Sequence, residues 1–433
     1  MSTDIHTWSD LTDSAQSELL QRPAVAADAR IRTGTARIID EIRADGDAAL
    51  RRLTKHYDGA DIRELRVSDD EFEAASHALS ASQLAAIDLA IDNVRQFHMA
   101  QVPQSIRVET MPGVVCERLN QALDAVGLYV PAGTAPLPSA AIMLAVPAGI
   151  AGCPVRVMCT PPRRDGSADP AVLVAAHRAG VRDVYKAGGA QAIAALAYGT
   201  ATIPKVLKIL GPGNAWVTCA KTLVSADPAG AAIDIPAGPS EVLVIADTSA
   251  SAEFVAADLL SQAEHGPDSQ AVLVTTSSNF AEQVSVELKA QLATLSRAPI
   301  AAEALLHSRL IVVDTIDIAI EVSNRYAPEH LILQVAEPRR HLPRLRNAGS
   351  VFLGPWTPES VGDYCSGTNH VLPTYGFARS YSGLGVEQFM RQMSVQELSR
   401  EGLENLGAAV VSLAGLEGLG AHAAAVTRRL GTD

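Results

Sequence analysis

The most constraining feature of this sequence is a regular alternation, from about residue 155 onward, of short runs rich in β-branched residues with longer alanine-rich windows. Such runs are typical of buried strands, such windows are typical of helices, and their alternation predicts β-α-β crossovers. Because crossovers of this kind are right-handed and join neighbouring strands of one sheet, the series predicts an α/β fold with parallel sheets. The predicted strands are 155–160, 183–186, 206–210, 242–246, 272–276 and 310–313, and the helices that follow them are 170–179, 190–198, 215–224, 251–264, 280–295 and 316–326.

The series falls into two parts, and the flanking regions differ from both. A turn rich in proline and glycine at 235–240 lies between the third and fourth strand–helix pairs, which indicates two α/β units. The first hundred residues have helical periodicity, with one apolar stripe on a predicted helix over 84–97. After about residue 385 the chain is predicted to become helical again, ending in an alanine-rich tail from Gly402.

An uncharged stretch of 31 residues, 125–155, is long enough to cross a bilayer. It contains five prolines and four glycines, which would interrupt a membrane helix repeatedly and leave backbone groups unpaired in lipid. We therefore expect buried loops and turns there, and no membrane span. The N-terminus lacks a basic segment followed by an apolar run, so a cytoplasmic protein without a secretory signal is expected.

Charge and cysteine content exclude several other classes. With 48 acidic and 35 basic residues the formal net charge is -13, which repels a phosphate backbone, and an aromatic content of 4% argues against a base-stacking surface. Nucleic acid is therefore not an expected partner. The five cysteines are odd in number and form no CxxC pair, so neither a disulfide framework nor a zinc ribbon is indicated.

Gln262 and His265 are candidate metal ligands. They lie three residues apart at the end of a predicted helix, so both side chains can reach one point. An isolated pair of this kind is more often structural or surface-exposed than ligating. Other polar residues follow predicted strands or turns in the same half of the chain, where α/β folds place their sites: Glu329, His330, Asp363, His370, Glu417 and His422.

Glu329 and His330 adjoin the apolar run 331–335, at the mouth of a predicted strand. They form either an exposed turn or an acid–base pair, since imidazole and a partly buried carboxylate are readily tuned toward neutral pKa values. His370, taken alone, is more simply a hydrogen-bonded structural histidine.

Two glycine-containing loops follow predicted strands and open predicted helices, at 211–214 and 188–191. Free N–H groups at such a helix start can bind an anion such as a dinucleotide phosphate. The first loop lacks the third glycine of the G-x-G-x-x-G pattern, so from spacing alone a simple tight turn explains it better than a dinucleotide site.

Longer segments resemble one known family. They are GLYVPAGTAPLPS from Gly127, KAGGAQAIAALAYGT from Lys186, KILGPGN from Lys208, DIPAGPSEVLVIAD from Asp234, DLLSQAEHGPDSQ from Asp258, NRYAPEHL from Asn324 and GDYCSGTNHVLPT from Gly362. In this order, over nearly the whole chain, they resemble the histidinol dehydrogenases. The resemblance implies oxidation of L-histidinol through an aldehyde to L-histidine, the last step of histidine biosynthesis, with two NAD+ reduced and one zinc ion per subunit.

The resemblance also implies roles for individual residues. Zinc would be held by Gln262, His265, Asp363 and His422, a set without a thiolate, which disfavours a structural zinc finger. His330 would take the alcohol proton, and Glu329 would activate the water of the second oxidation. The implied substrate contacts are Ser240, Gln262, His265, His330, Asp363, His370, Glu417 and His422, and the implied cofactor contacts are Tyr129, Gln191 and Asn214.

The architecture implied by the resemblance consists of two incomplete Rossmann-like domains. A helical segment at 1–25 precedes them. One domain comprises 26–128 with 238–384 and carries the zinc and acid–base residues, and the other, 129–237, binds NAD. A helical tail, 385–433, would reach across a homodimer, so that each active site would be shared between two subunits.

Three alternatives remain at this point. The same ligands with a glutamate base could serve a zinc hydrolase, although no H-E-x-x-H motif is present, and a two-lobed binding protein without catalysis is also conceivable. Cys116 or Cys153 could form a thiohemiacetal with the aldehyde, but Glu329 and His330 offer a route through water.

The family often has two glycines where this chain has Ala132 and Gly133, which could alter the loop near the nicotinamide.

Overall fold

The computed structural model describes residues 4–22, 29–132, 135–235 and 238–432. Its strands are β1 (Ile5–Thr7), β2 (Ile106–Met111), β3 (Val114–Ala122), β4 (Ala125–Tyr129), β5 (Val155–Thr160), β6 (Asp183–Lys186), β7 (Lys208–Leu210), β8 (Ala232–Ile233), β9 (Glu241–Ala246), β10 (Gln270–Thr275), β11 (Arg309–Val312), β12 (His330–Gln334), β13 (Ser350–Leu353) and β14 (Met390–Leu398). Its helices are α1 (Asp13–Leu19), α2 (Ala29–Asp45), α3 (Asp47–Tyr57), α4 (Asp69–Ala78), α5 (Ala81–Met99), α6 (Pro138–Ala151), α7 (Pro170–Arg178), α8 (Gly189–Tyr198), α9 (Ala215–Ser225), α10 (Ala252–Ala263), α11 (Ser278–Leu292), α12 (Ala298–Ala304), α13 (Ile316–Tyr326), α14 (Glu359–Tyr364), α15 (Arg400–Leu416) and α16 (Gly420–Leu430).

Two parallel sheets form the framework, which confirms the predicted α/β class. The first has five strands in the order β6-β5-β4-β7-β8, and the second has six in the order β1-β11-β10-β9-β12-β13. Every residue of β9, β10 and β12 is buried, as expected for strands covered by helices on both faces. The chain alternates between strand and helix in both sheets, so the pattern that predicted crossovers is followed element by element.

Each sheet is enclosed between two apolar cores. On the five-stranded sheet, α4 to α7 cover one face and α2, α3, α8 and α9 cover the other. On the six-stranded sheet, α10 to α12 cover one face, while α13 and the N-terminal segment cover the opposite face. The helices α2 to α5 therefore pack with residues 125–233, whereas the resemblance grouped residues 26–128 with 238–384.

Three local expectations were wrong. The uncharged stretch 125–155 holds strand β4 and the buried helix α6 rather than loops, because small or apolar residues along α6 let that helix pack on all sides. The segment 1–25 is not purely helical, since β1 pairs with β11 at the edge of the six-stranded sheet. The segment 385–433 begins with β14, which pairs with β3 in a three-stranded antiparallel sheet, β14-β3-β2, before the helices α15 and α16.

No helix within the described ranges has both the length and the apolar character needed to cross a bilayer. All five cysteines are unpaired.

Candidate active site

The candidate metal ligands come from two helices that pack against each other at one edge of the six-stranded sheet. Gln262 lies buried in the last turn of α10, and His265 follows the end of that helix with an exposed side chain. Asp363 lies on α14, where a side chain at the neighbouring Gly362 would meet a ring atom of Phe352 at 2.6 Å. Glycine at 362 therefore lets α14 approach β13 and brings Asp363 to the site.

A candidate metal centre is formed by His265, Asp363 and a residue that sequence analysis missed, Glu359. One ligand atom from each of the three lies within 4.8 Å of the others. Gln262 adjoins this group, because its amide nitrogen, in the orientation that satisfies its neighbours, lies 2.8 Å from Oε1 of Glu359. Nitrogen and carboxylate or amide oxygen donors of this kind suit zinc, so these residues fit the metal implied by the sequence.

His330 lies beside this group as the first residue of β12. Its Nδ1 is 3.1 Å from the backbone oxygen of Glu241, which can only accept, so we assign the proton to Nδ1. The amide nitrogen of Gln262, which lies 3.1 Å from the same Nδ1, then donates to Glu359 and not to His330. The Nε2 of His330 is then a proton acceptor. It is buried, has no hydrogen-bond partner among the described residues, and lies 3.9 Å from Oδ1 of Asp363. Burial lowers the pKa of His330 to about 3, so the imidazole is neutral at neutral pH.

Glu329 is buried immediately before His330, with Oε2 at 3.7 Å from Nδ1 of that histidine. The same Oε2 accepts a hydrogen bond of 2.8 Å from the backbone N–H of Glu241. Burial, together with the negative charges of Glu241 and Asp363, raises the pKa of Glu329 well above its ordinary value. Glu329 is therefore a carboxyl group whose protonation depends on the charge placed beside it.

A cavity of about 1200 Å³ connects His265 and Glu329 with the predicted cofactor contacts. Ser240, His265, Glu329 and His370 line one part of it. His370 is also held close to the metal ligands, since its Nδ1 is 3.0 Å from the backbone oxygen of Asp363. Burial lowers the pKa of His370 to about 4.

The predicted cofactor contacts line the other part of the cavity, at the carboxyl edge of the five-stranded sheet. Tyr129 ends β4, and its hydroxyl accepts a hydrogen bond of 3.0 Å from the backbone N–H of Gly189. Gln191 lies in the first turn of α8, and Asn214 caps α9, its Oδ1 accepting from the N–H groups of Trp216 at 3.1 Å and Val217 at 3.2 Å.

The loop before Asn214 is held in a conformation that requires glycine. Gly211 has φ +126°, and a side chain there would overlap the backbone oxygen of Tyr129. Its N–H donates to Asp234 Oδ2 at 2.7 Å, and the buried ammonium of Lys221 donates to the oxygen of Gly211 at 2.8 Å and to Asp234. This ion pair fixes the loop at the end of β7. The candidate residues of the five-stranded sheet lie at the carboxyl ends of its strands, as is usual in α/β folds. In the six-stranded sheet they lie at the opposite end, since Glu241 and His330 begin their strands.

Comparisons with known proteins decide the family. A family model described as histidinol dehydrogenase matches residues 20–430. A histidinol dehydrogenase from Xanthomonas axonopodis pv. citri (strain 306) is 55% identical over 424 residues, covering 98% of each chain. One from Vibrio parahaemolyticus serotype O3:K6 is 54% identical over 423 residues, covering 98% of this chain and 97% of the relative. A crystal structure of histidinol dehydrogenase from Elizabethkingia anophelis superimposes with a TM-score of 0.95 at 45% identity, covering 100% of this chain and 98% of that one.

The chain belongs to the histidinol dehydrogenase family. Its activity is therefore that of an oxidoreductase of histidine biosynthesis.

Two residues predicted for a histidinol dehydrogenase site lie apart from it within one chain. Glu417 and His422 are exposed on the terminal helical pair, neither lines the described cavity, and His422 is not in the metal-ligand group. Helix α16 packs chiefly on α15. Large apolar side chains near Glu417 and His422 remain uncovered: Leu413, Leu416 and Leu419 are 62%, 84% and 40% exposed.

Sequence analysis missed two further residues, Glu359 and Asp58, whose carboxyl groups are buried or have a raised pKa. Glu359 precedes Asp363 by four residues, a spacing that puts both carboxylates on one face of α14 and could have identified it. Asp58 lines the cofactor part of the cavity and lies 3.5 Å from Nε2 of Gln191, and burial raises its pKa to about 6.

Neither Cys116 nor Cys153 lines the cavity, so no thiol of those two is available at the acid–base pair. Ala132 lines it, while Gly133 lies outside the described residues.

Proposed function

We propose that this histidinol dehydrogenase is zinc-dependent and reduces two NAD+ while it oxidises L-histidinol through L-histidinaldehyde to L-histidine. One observation carries the proposal: His265, Glu359 and Asp363 converge beside the buried pair Glu329 and His330, and Glu329 lines the same cavity as Tyr129 and Asn214, the predicted cofactor contacts. A metal site, an acid–base pair and a dinucleotide-sized space are what an alcohol and aldehyde oxidation needs in one place.

Zinc would be held by Gln262, His265 and Asp363, with His422 supplied by a second copy of the chain. When bound, zinc would supply a positive charge that orients the substrate and lowers the pKa of the nearby carboxyl groups. His370, hydrogen-bonded to Asp363, and Ser240 would complete the substrate contacts within one chain.

In the first oxidation, Nε2 of His330 accepts the proton of the substrate hydroxyl while the carbon loses a hydride to NAD+. The tautomer imposed by the backbone oxygen of Glu241 leaves this nitrogen free to do so. The products of this step are the aldehyde and one NADH.

In the second oxidation, Glu329 takes a proton from a water molecule that adds to the aldehyde carbon, and the hydrate loses a second hydride to a second NAD+. The fixed hydrogen bond from Glu241 to Oε2 of Glu329 holds the carboxylate in place for this transfer. The balance is one water consumed and a carboxylate formed, with two NADH for the whole reaction.

We infer that the active enzyme is a homodimer. The exposed Glu417 and His422 lie next to uncovered leucines on α15 and α16, and apolar surface of this kind is typical of an interface between subunits. Docking this helical pair on a second copy would bring the imidazole of His422 to the metal ligands and the carboxylate of Glu417 to the cationic amine of the substrate.

The proposal is tested by following NADH formation with purified protein, L-histidinol and NAD+. We expect activity that disappears when zinc is removed by a chelator and returns when zinc, but not magnesium, is added back. NADH formation that does not respond to metal removal, or no NADH at all, would contradict the proposed function.

A further inference from the structure

A guanidinium group from the N-terminal segment is buried against the two segments that flank Glu329. Arg22 follows α1, and its side chain is 11% exposed. Its Nε and Nη2 donate to the two carboxylate oxygens of Glu241, at 2.5 and 2.8 Å. The same Nη2 donates to the backbone oxygens of Tyr326 at 2.8 Å and Ala327 at 3.2 Å.

These partners are the two segments that hold Glu329. Tyr326 and Ala327 end α13 and form the turn that leads into Glu329, with Ala327 in the left-handed conformation at φ 55°. Glu241 begins β9, and its N–H donates to Oε2 of Glu329. Arg22 therefore ties the backbone before Glu329 to the strand that hydrogen-bonds its carboxylate.

The electrostatic environment makes this connection specific. Glu241 is 2% exposed, and its Oε1 also accepts from the backbone N–H of Tyr375. Removing one partner of a buried ion pair leaves the other charge uncompensated. The ring of Tyr326 lies 4.0 Å from the guanidinium carbon, so the cation is stacked as well as hydrogen-bonded. An ammonium group cannot reproduce the two parallel hydrogen bonds or the planar stacking, so lysine is not an equivalent residue here.

We propose that Arg22 is a positioning residue for Glu329: through Glu241 and the turn 326–327 it fixes the carboxylate that activates water in the aldehyde oxidation. The inference rests on the proposed function of Glu329, and it makes the N-terminal segment part of the catalytic unit.

The test compares Arg22→Ala and Arg22→Lys with Arg325→Ala. Arg325 is a matched control because it also contacts the N-terminal segment, donating to Gln16 at 2.8 Å and lying over Trp8, without touching Glu241. For both Arg22 variants we expect kcat for supplied histidinaldehyde to fall by about 10²-fold, the size of one general-base contribution, while KM and zinc content stay near the wild-type values. Alcohol oxidation should fall far less, and Arg325→Ala should change neither half-reaction.

Two further readouts separate positioning from a merely structural role. Millimolar guanidinium, but not equal concentrations of sodium or ethylammonium chloride, should restore part of the kcat of Arg22→Ala. Hydrogen exchange in the peptides covering 239–243 and 326–330 should accelerate in the Arg22 variants and not in Arg325→Ala. This second measurement needs no substrate and remains informative if the wild-type protein fails to oxidise histidinol, an outcome that would refute the proposed function instead.

If Arg22→Ala does not fold, Arg22→Lys is compared with Arg325→Ala in its place. The inference is overturned if the Arg22 variants slow both half-reactions equally without rescue, if they match Arg325→Ala, or if exchange in the two peptides is unchanged.

Discussion

The amide of Gln262 and the carboxylate of Glu359 face each other across α10 and α14, with the amide nitrogen 2.8 Å from Oε1 and 3.1 Å from Oε2. Of the two orientations of the Gln262 amide, the one that turns its nitrogen toward Glu359 pairs a donor with the two carboxylate oxygens. It leaves the amide oxygen of Gln262 for another partner, and an oxygen is the atom that zinc takes from an amide side chain.

Glu359→Gln should therefore weaken zinc binding, because a neutral amide no longer dictates which way Gln262 turns. We expect a loss in zinc affinity of about 10- to 100-fold, the range usual for groups that orient metal ligands. Competition with a chromophoric chelator on metal-free protein measures it. Asp258→Asn, which alters a buried carboxylate bonded to Gln334 rather than to Gln262, is the control. An unchanged affinity in Glu359→Gln would contradict this role.

Glu329→Gln should impair the second oxidation more than the first. The amide keeps the size of the side chain but cannot take a proton from water, so we expect kcat with histidinaldehyde to fall by about 10²- to 10⁴-fold. Alcohol oxidation should fall much less, because His330 is the proposed base for that step. Rapid-mixing measurements of NADH from each substrate separate the two, with Glu264→Gln as the control. Equal losses in both steps would show that the role is assigned wrongly.

A site shared between subunits predicts complementation. His265→Ala and His422→Ala should each be inactive, but hybrid dimers formed from the two should contain one site with neither substitution. Mixing the variants under conditions of subunit exchange should therefore restore up to about a quarter of the wild-type activity, as random pairing in a twofold dimer allows. Hybrids demonstrated by native mass spectrometry that stay inactive would exclude the shared site.

Asp58 should make stability depend on pH. Its pKa is raised from 3.8 to about 6 by burial, so the stability that the neutral carboxyl provides is present below about pH 4 and is lost as the pH rises through 6. Asp58→Asn should thus raise the unfolding temperature at pH 8 and leave it unchanged at pH 4. After discounting for partial solvent exposure we expect about 1 kcal/mol, or about 2–4 °C.

The control for this measurement is a neighbouring carboxylate with the opposite shift. The hydrogen bond from Lys55 lowers the pKa of Asp61, so Asp61→Asn should not stabilise the protein at pH 8. The measurement is the thermal unfolding temperature of both variants and the wild type at pH 4 and pH 8, without NAD+. A stabilisation by Asp58→Asn that is the same at pH 4 and pH 8 would contradict the electrostatic explanation.

The parallel sheets were predictable because they depend on local patterns. Runs such as β5 and β9 are mostly apolar, and each is followed by a window with helical periodicity, so strand and helix were correctly separated. Helix α6 was missed because its own pattern has no polar face, and Pro138 and Pro147 resemble turn residues when their burial is unknown. Strand β14 was missed because its pairing with β3 joins residues that are distant in the chain.

The candidate site was predictable only in part for the same reason. Gln262 and His265 share a local spacing, and Asp363 and His330 were found through long motifs. Arg22 contacts segments far away in sequence, which no local pattern records. Glu359 shares a helix face with Asp363, but its contact with Gln262 also joins distant segments. In the proposed dimer the position of His422 relative to the metal ligands depends on a second copy of the chain, and a single sequence does not encode that geometry in any local signal.

The most direct test of the account is the stoichiometry of the complete reaction. With limiting L-histidinol and excess NAD+, the zinc-loaded protein is predicted to form two NADH and one L-histidine for each histidinol consumed, measured by absorbance and by chromatography of the product. One NADH per histidinol with accumulation of the aldehyde, or consumption of histidinol without NADH, would contradict a site that carries out both oxidations.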